Sequence, residues 1–196
     1  VSFSGRPVSG LSWINDSEYA WPRPGGGGVD WLRVRAPTGD TTPLFDAGAM
    51  QAALARMPEL SDAASRLSRS RGLTFNPDWT GALFAHDDDL YYYGFGTGRA
   101  SRLTKTAGTE ENPTFSPDGR RVAFTRDGNL FVVDVATAAE RAVTSGGGTR
   151  LLNGRLDWVY EEELYGRGNT RGYWWSPDSS ALAFLQLDET PVPDFT

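Results

Sequence analysis

The chain has 196 residues, of which 39% are hydrophobic and 12% aromatic, so it can build a packed core and is not expected to be disordered throughout. Its net charge of −6, with no lysine- or arginine-rich run, argues against nucleic acid or an anionic membrane surface as a partner. Cysteine is absent and His86 is the single histidine, which excludes disulfides, thiol catalysis and histidine-rich metal sites.

Four segments repeat one pattern of aromatic, turn and apolar residues, and the second and third align without a gap at a spacing of forty. In chain order they are LSWINDSEYAW (11–21), LTFNPDWTGALFAHDDDLYYY (73–93), NPTFSPDGRRVAFTRDGNLFVVDV (112–135) and YWWSPDSSALAFLQLDE (173–189). The matching pairs are Phe75 and Phe115, Pro77 and Pro117, Asp78 and Asp118, Phe84 and Phe124, and Leu90 and Leu130.

Each repeat predicts a unit of about four short strands. An aromatic strand end leads into a Ser-Pro-Asp-Gly type of turn, and an Asp-Gly turn at Asp127-Gly128 closes a hairpin. About four strands in about forty residues are typical of a propeller blade, and a β-sandwich is the alternative. His86 aligns with Arg126, so HDDD (86–89) is interpreted as a turn and not as a metal or catalytic site.

A helical insertion is predicted over residues 46–71, between the first and second repeats. Asp46 can cap a helix that carries Met50, Ala53, Leu54 and Met57 on one face, with Pro58 as its end. Ser61 can cap a second helix that runs through Leu67.

A second insertion is predicted over residues 145–172. The fold class is therefore all-β, a partial β-propeller of about three to four blades of four-stranded antiparallel sheet with a short two-helix insertion. Closed propellers have about four to eight blades. We expect residues 1–196 to be a fragment of one propeller domain, with a leader or longer segment removed before Val1. Open strand edges favour a homo-oligomer.

Two other features have simple structural interpretations. The glycine runs 25–28 and 146–148 lack the lysine and the following helix of a phosphate-binding loop, so flexible loops are expected. Trp174 and Trp175 are expected in the core of a blade.

The second insertion contains DWVYEEEL, Asp157–Leu164, with three adjacent glutamates. Such a run is usually a solvated acidic surface. Here Trp158, Val159 and Tyr160 precede it and could hold it rigid by packing. Cationic partners near in sequence are few, namely Arg155, Arg167 and Arg171.

Neighbouring glutamates can converge on one target only if the backbone turns, as it does in a helix. An ammonium group with three donors suits two such carboxylates, whereas a hard metal ion usually needs more oxygens. No metal site and no cofactor are therefore predicted, although a calcium-binding acidic loop stays open as an alternative.

DWVYEEEL, together with the later YWWSPDSSALAFLQLDETPVPDF, resembles the propeller of the dipeptidyl peptidase IV group in the prolyl oligopeptidase family, with bacterial members the most similar. The resemblance implies that Glu162 and Glu163 bind the N-terminal ammonium of a peptide substrate. Glu161 is then a structural or solvated neighbour.

The resemblance also implies a parent serine peptidase that releases N-terminal dipeptides of the Xaa-Pro or Xaa-Ala type. Its partners are a peptide with a free N-terminus and a C-terminal α/β-hydrolase domain with a Ser-Asp-His triad. This sequence holds no catalytic residue and no G-x-S-x-G motif, so the chain alone is expected to be inactive. The compartment stays open, although a periplasmic or secreted parent is favoured.

Family members also place an arginine of the propeller near the substrate. Arg66, Arg69 and Arg71 are the candidates, and their other interpretation is the solvated face of the second helix. The competing function is a non-catalytic, TolB-like propeller that binds proteins, which would not require the inserted DWVYEEEL segment.

Overall fold

The structure is a computed structural model, and it describes residues 9–193. Its contacts divide the chain into two compact units, one formed by the residues up to Phe84 with Tyr93–Ala100, and the other by Ala85–Tyr92 with the residues from Ser101 onward. The expectations about Val1, and the end of the resemblance at residues 194–196, lie outside the described residues.

The first sheet is antiparallel and has the strand order β1-β2-β3-β4. Its strands are β1 Ser12–Asn15, β2 Glu18–Gly25, β3 Gly28–Arg35 and β4 Thr41–Pro43. The first glycine run forms the β2–β3 hairpin, in which Gly25 pairs with Gly28, so the expectation of a flexible loop is wrong there. The physical reason is close approach, because a Cβ on Gly28 would lie 2.4 Å from the carbonyl oxygen of Arg69.

The predicted helical insertion follows, with α1 Ala47–Leu54, a 3-10 helix Pro58–Ala63 and α2 Ala64–Leu67. The Asp46 cap is confirmed, since its side chain accepts a hydrogen bond from the Ala49 N–H at 2.9 Å. The buried face of α1 consists of Met50, Ala53 and Leu54.

Two details of the helical prediction are wrong. Helix α1 ends at Leu54, and Pro58 opens the 3-10 helix, where its fixed φ and missing N–H carry no cost. Met57 therefore lies outside α1. Ser61 does not cap a helix, because it lies inside the 3-10 helix and its hydroxyl donates to the Pro58 carbonyl at 3.1 Å.

The next two sheets confirm the forty-residue repeat. Their strand orders are β5-β6-β7-β8 and β12-β11-β10-β9. The second sheet consists of β5 Thr74–Phe75, β6 Gly81–His86, β7 Asp89–Gly94 and β8 Arg99–Arg102, and the third of β9 Glu111–Phe115, β10 Arg121–Arg126, β11 Asn129–Asp134 and β12 Glu140–Ala142. Strands β6 and β10, like β7 and β11, begin and end forty residues apart.

The two central hairpins turn in the same way. Asp127 and Gly128 have φ values of +49° and +71°, and Asp87 and Asp88 have +46° and +66°. Positive φ at both positions is the requirement of a type I′ turn, which matches the twist of the flanking strands. The interpretation of HDDD as a turn is confirmed, with His86 as the last residue of β6.

The fourth repeat departs from the pattern. Strand β14 Tyr173–Trp175 pairs with β15 Leu182–Phe184, but β16 Gln186–Asp188 pairs with β13 Leu151–Asn153, which lies inside the predicted 145–172 insertion. Trp174 is 39% exposed, so its expected place in a blade core is wrong.

Tyr173 joins the third sheet to the fourth repeat within the second unit. It packs with Ala123, Leu130 and Val132 in one buried cluster, and partly buried Trp175 lies against it. The Tyr173 hydroxyl, which has one proton to donate, lies within hydrogen-bond distance of two carbonyl oxygens, that of Ala123 at 2.8 Å and that of Asn112. Burial raises the pKa of this phenol above its usual range, so the group stays a neutral donor.

A buried ion cluster lies at the end of β10, formed by Arg126, Glu110 and Glu140. The Arg126 guanidinium donates to Glu110 Oε1 at 2.9 Å and to Glu140 Oε1 at 2.5 Å. Its centre lies 4.3 Å from the centroid of the Phe131 ring. The second oxygen of Glu110 has no hydrogen-bond partner among the described residues, and burial raises the pKa of this carboxyl against the opposing effect of Arg126.

These elements confirm the fold class. The described chain is all-β, with three four-stranded antiparallel sheets and two two-stranded ones, and it carries the short helical insertion and a π-helical turn at Tyr160–Tyr165.

Candidate functional site

The three glutamates lie on an excursion, residues 156–170, that leaves and rejoins the second unit at one place. We call this stretch the glutamate segment. At its base the Leu156 N–H donates to the Thr170 carbonyl at 2.8 Å, and Arg155 and Arg171 form an isolated antiparallel bridge. These two backbone pairings form the neck of the segment, so its two ends are held side by side.

A helical turn carries the glutamates, as convergence of their side chains requires. Residues 158–165 are helical, and Tyr160–Tyr165 is a π-helix. The Asp157 carboxylate accepts the Tyr160 N–H at 2.8 Å, and Gly166, with φ at +91°, ends the turn. The rings of Tyr160 and Tyr165 stack with their centroids 6.3 Å apart. Short π-helical turns occur frequently at functional sites.

The three carboxylates have different surroundings. Glu161 Oε1 accepts the Gly168 N–H at 2.9 Å, which ties the helical turn to the returning chain and agrees with a structural role. Glu162 Oε2 accepts from Arg167 Nε at 2.6 Å, while Glu163 is exposed. The Arg167 side chain is 84% exposed, so water can replace it easily. Convergence of Glu162 and Glu163 on one ammonium group stays a prediction.

The flanking apolar residues do not hold the segment by packing. Trp158 is 68% exposed, Val159 50% and Leu164 65%. The expectation that Trp158 and Val159 would pack and make the glutamates rigid is therefore wrong, whereas Tyr160 stacks on Tyr165 within the segment. Hydrogen bonds to Asp157 and at the neck supply the order instead.

Two neighbouring residues of β9 bind the two sides of the neck. The Arg155 Nε donates to Glu111 Oε2 at 2.6 Å. Asn112 Nδ2 donates to the Thr170 hydroxyl at 2.9 Å, and that hydroxyl donates to Asn112 Oδ1 at 3.2 Å. We call these two pairs the clamp.

Sequence reasoning missed the clamp, because its partners lie 44 and 58 positions apart and no local motif marks them. It also missed the cap at Asp157, for which a signal exists, since this aspartate directly precedes the helical turn. Of the three cationic candidates, Arg167 alone binds one of the glutamates through a described contact. Arg155 binds Glu111 instead.

The arginine candidates of the first unit lie in or after α2. Arg66 is exposed in the last turn of that helix. Arg69 binds Asp30 with 2.6 Å between Nη1 and Oδ1, and Arg71 donates to the Pro22 carbonyl at 3.4 Å. Their interpretation as part of the solvated face of α2 is therefore wrong for Arg69 and Arg71, because both residues follow the end of the helix.

Over residues 9–193, no group of three or more acidic or histidine side chains is arranged to hold a metal ion. The described helices are all too short or too polar to cross a membrane.

Comparison with known proteins gives one consistent family. The model of the dipeptidyl peptidase IV (DPP IV) N-terminal region matches residues 84–196, which is more than half of the chain. A protein named "Probable dipeptidyl-aminopeptidase B" from Arthroderma gypseum is 45% identical over 82 residues, which are 42% of this chain and 9% of that protein. A "Probable dipeptidyl peptidase 4" from Aspergillus fumigatus is 46% identical over 82 residues, 42% of this chain and 10% of that protein.

The crystal structure of Porphyromonas gingivalis dipeptidyl peptidase 4 matches 97% of this chain with a TM-score of 0.73 and 27% sequence identity. The match covers 27% of that structure, so the chain spans about a quarter of it and about a tenth of the fungal relatives. The family match begins at Phe84 and includes the clamp and the glutamate segment. The chain therefore belongs to the family of the dipeptidyl peptidase IV N-terminal region.

Proposed function

We propose that this chain is the substrate-recognition part of a longer serine dipeptidyl peptidase, and that Glu162 and Glu163 bind the free N-terminal ammonium of the peptide. The relatives are named as dipeptidyl peptidases, and an enzyme that removes two residues must measure from the N-terminus of its substrate. Fixing the amine sets which peptide bond reaches the nucleophile, which is a contribution of positioning and not of bond chemistry.

The observation that carries the proposal is the contact between Glu162 and Arg167. A carboxylate oxygen on an exposed helical turn already binds a cation at 2.6 Å, through an arginine that is itself mostly in solvent. A substrate ammonium can compete with such a partner, because exposed ion pairs contribute only about 0–1 kcal/mol. A charge-assisted hydrogen bond to the ammonium in a partly desolvated site contributes about 1.5–3 kcal/mol.

We further propose that residues 1–196 belong to one propeller domain with insertions at 46–71 and 145–172. The hydrolase domain and its triad then lie outside this sequence, which contains no G-x-S-x-G motif. The chain alone would bind peptides without cleaving them. The proposed substrates of the full-length enzyme are peptides whose first two residues are Xaa-Pro or Xaa-Ala.

The test uses the full-length protein with Glu162→Gln and Glu163→Gln. Each variant should lower kcat/KM for Ala-Pro-p-nitroanilide by about tenfold or more, since one charge-assisted bond is lost. The wild type should not cleave the N-acetylated form of this substrate. Glu18→Gln is the matched control, because Glu18 likewise binds one arginine, Arg33, but belongs to the first sheet.

Wild-type turnover by both glutamate variants would refute the role of the amine anchor. Binding of folded proteins by the chain, with no peptidase activity in the full-length protein, would favour the TolB-like alternative.

A further inference from the structure

The glutamate segment has few contacts that could set its direction apart from those at its neck. Three of its apolar side chains are half to two-thirds exposed, and the hydrogen bonds of Asp157 and Glu161 stay within the segment. Such internal bonds fix its shape but not the direction in which the shape points. Direction must come from groups that join the segment to the sheet.

The clamp joins the segment to the sheet in this way, because it binds both sides of the neck. Glu111 binds Arg155 on the outgoing chain, and Asn112 binds Thr170 on the returning chain. A single bond would leave a hinge, whereas two bonds to opposite sides of the neck restrain rotation about it.

A β-bulge makes this double grip possible. In a regular strand, the side chains of neighbouring residues point to opposite faces of the sheet. Glu111 and Asn112 could therefore not both reach the neck if β9 were regular. Here the β9–β10 register shifts between the pairs Thr125–Glu111 and Ala123–Thr114, which places one extra residue in β9. Asn112 has φ at +56°, a left-handed conformation that asparagine tolerates better than most residues. Bulges of this kind redirect side chains and are common beside active sites.

We propose that Glu111, Arg155, Asn112 and Thr170 are positioning residues that aim Glu162 and Glu163 at the substrate ammonium. This inference rests on the proposed function. The side chains of Arg155 and Glu111 are 35% and 39% exposed, so their pair adds little to the stability of the fold. Its loss should therefore appear in substrate binding and not in unfolding.

The experiment compares Glu111→Gln, Arg155→Gln and Thr170→Val in the full-length protein. Three quantities are measured: kcat and KM for Ala-Pro-p-nitroanilide, the Tm, and the rate at which a small fluorophosphonate without an amine labels the active-site serine. Each variant should raise KM about fivefold and change kcat by less than about twofold. The Tm and the labelling rate should stay at the wild-type values.

A charge exchange supplies the rescue. Glu111→Arg and Arg155→Glu should each raise KM, and the double variant should recover most of the loss, because the pair is restored with its ends reversed. Glu18→Gln and Arg33→Gln are matched controls, since that pair has similar exposure, with side chains 21% and 37% exposed, and lies in the first sheet. Both controls should keep the wild-type KM.

The clamp proposal is overturned if its variants keep the wild-type KM while Glu162→Gln raises it. It is also overturned if the Tm and the labelling rate fall while KM rises, which would mean general damage to the fold. If Glu162→Gln and Glu163→Gln both keep the wild-type kcat/KM, the proposed function fails first, and the clamp proposal fails with it.

Discussion

Replacement of Arg126 by methionine should be among the most damaging single changes in the second unit. The guanidinium is 4% exposed and is bound to two carboxylates, of which the Glu110 side chain is fully buried. Methionine keeps much of the apolar volume beside Phe131 but removes the charge and the hydrogen bonds that Arg126 donates to Glu110 and Glu140. Glu110 would then have two buried oxygens without a cationic partner.

Breaking a buried ion pair by removing one partner costs about 3–5 kcal/mol, because the remaining charge is neither solvated nor paired. Glu110 can reduce this cost by taking up a proton, and burial already raises its pKa. A carboxyl whose pKa is raised by folding favours the folded state at low pH, and this contribution is lost as the pH rises through the folded pKa. The loss caused by Arg126→Met should therefore be larger at pH 8 than at pH 5.

Urea denaturation at these two pH values measures the effect as a change in the free energy of unfolding. Arg33→Met is the matched control, because Arg33 also binds a glutamate across a sheet but is 37% exposed, and it should cost less than about 1 kcal/mol. If Arg126→Met costs no more than Arg33→Met at pH 8, the buried cluster does not behave as a set of desolvated charges, and the reasoning is refuted.

Three further predictions concern single residues. Hydrogen bonds from the Ser176 hydroxyl and from Ser180 lower the pKa of Asp178 to about 2, so its contribution to stability is complete above pH 4 and lost as the pH falls through 2. Asp178→Asn should make the free energy of unfolding less dependent on pH in this range, and an unchanged acid dependence would contradict this. Gly147→Ala should destabilise the fold by about 1–3 kcal/mol, because a Cβ at this position would lie 2.0 Å from the Gly128 carbonyl oxygen. The adjacent Gly148→Ala is the control, since a Cβ there meets no atom within 4 Å. Equal unfolding midpoints for the two variants would refute the close contact. Tyr173→Phe should cost about 1–3 kcal/mol, since it leaves the buried Ala123 carbonyl without its hydroxyl donor, and a wild-type Tm would contradict this.

Much of the fold could be predicted from the sequence because each repeat is marked by residues that favour particular turns. The Asp127-Gly128 hairpin and its counterpart at Asp87-Asp88 depend on residues that accept positive φ, and these stand at a constant spacing. The cap at Asp46 is equally local. The end of α1 at Leu54 was not predictable in this way, since Pro58 allowed two interpretations, as the end of one helix or the start of another.

In the candidate site, too, the locally determined features were predictable and the long-range contacts were not. Sequence reasoning named a backbone turn as the condition under which adjacent glutamates could converge, and the π-helix Tyr160–Tyr165 provides such a turn. The family was recognisable from DWVYEEEL. The exposure of Trp158 and the clamp were not predictable, because both depend on which distant residues come close in the folded chain. The β9 bulge at Asn112 likewise has no signal that a single sequence makes visible.

The neck has a consequence for how such proteins diversify. The two chain segments that enter and leave the glutamate segment are joined by the Leu156–Thr170 hydrogen bond, and next to it the Gly172 N–H donates to the Gly154 carbonyl at 2.9 Å. A stretch whose termini already touch can be shortened, lengthened or exchanged for another loop without shifting the register of any strand. Loop grafting between Leu156 and Thr170 should therefore exchange the whole glutamate segment for another loop while the strands of the second unit keep their pairing.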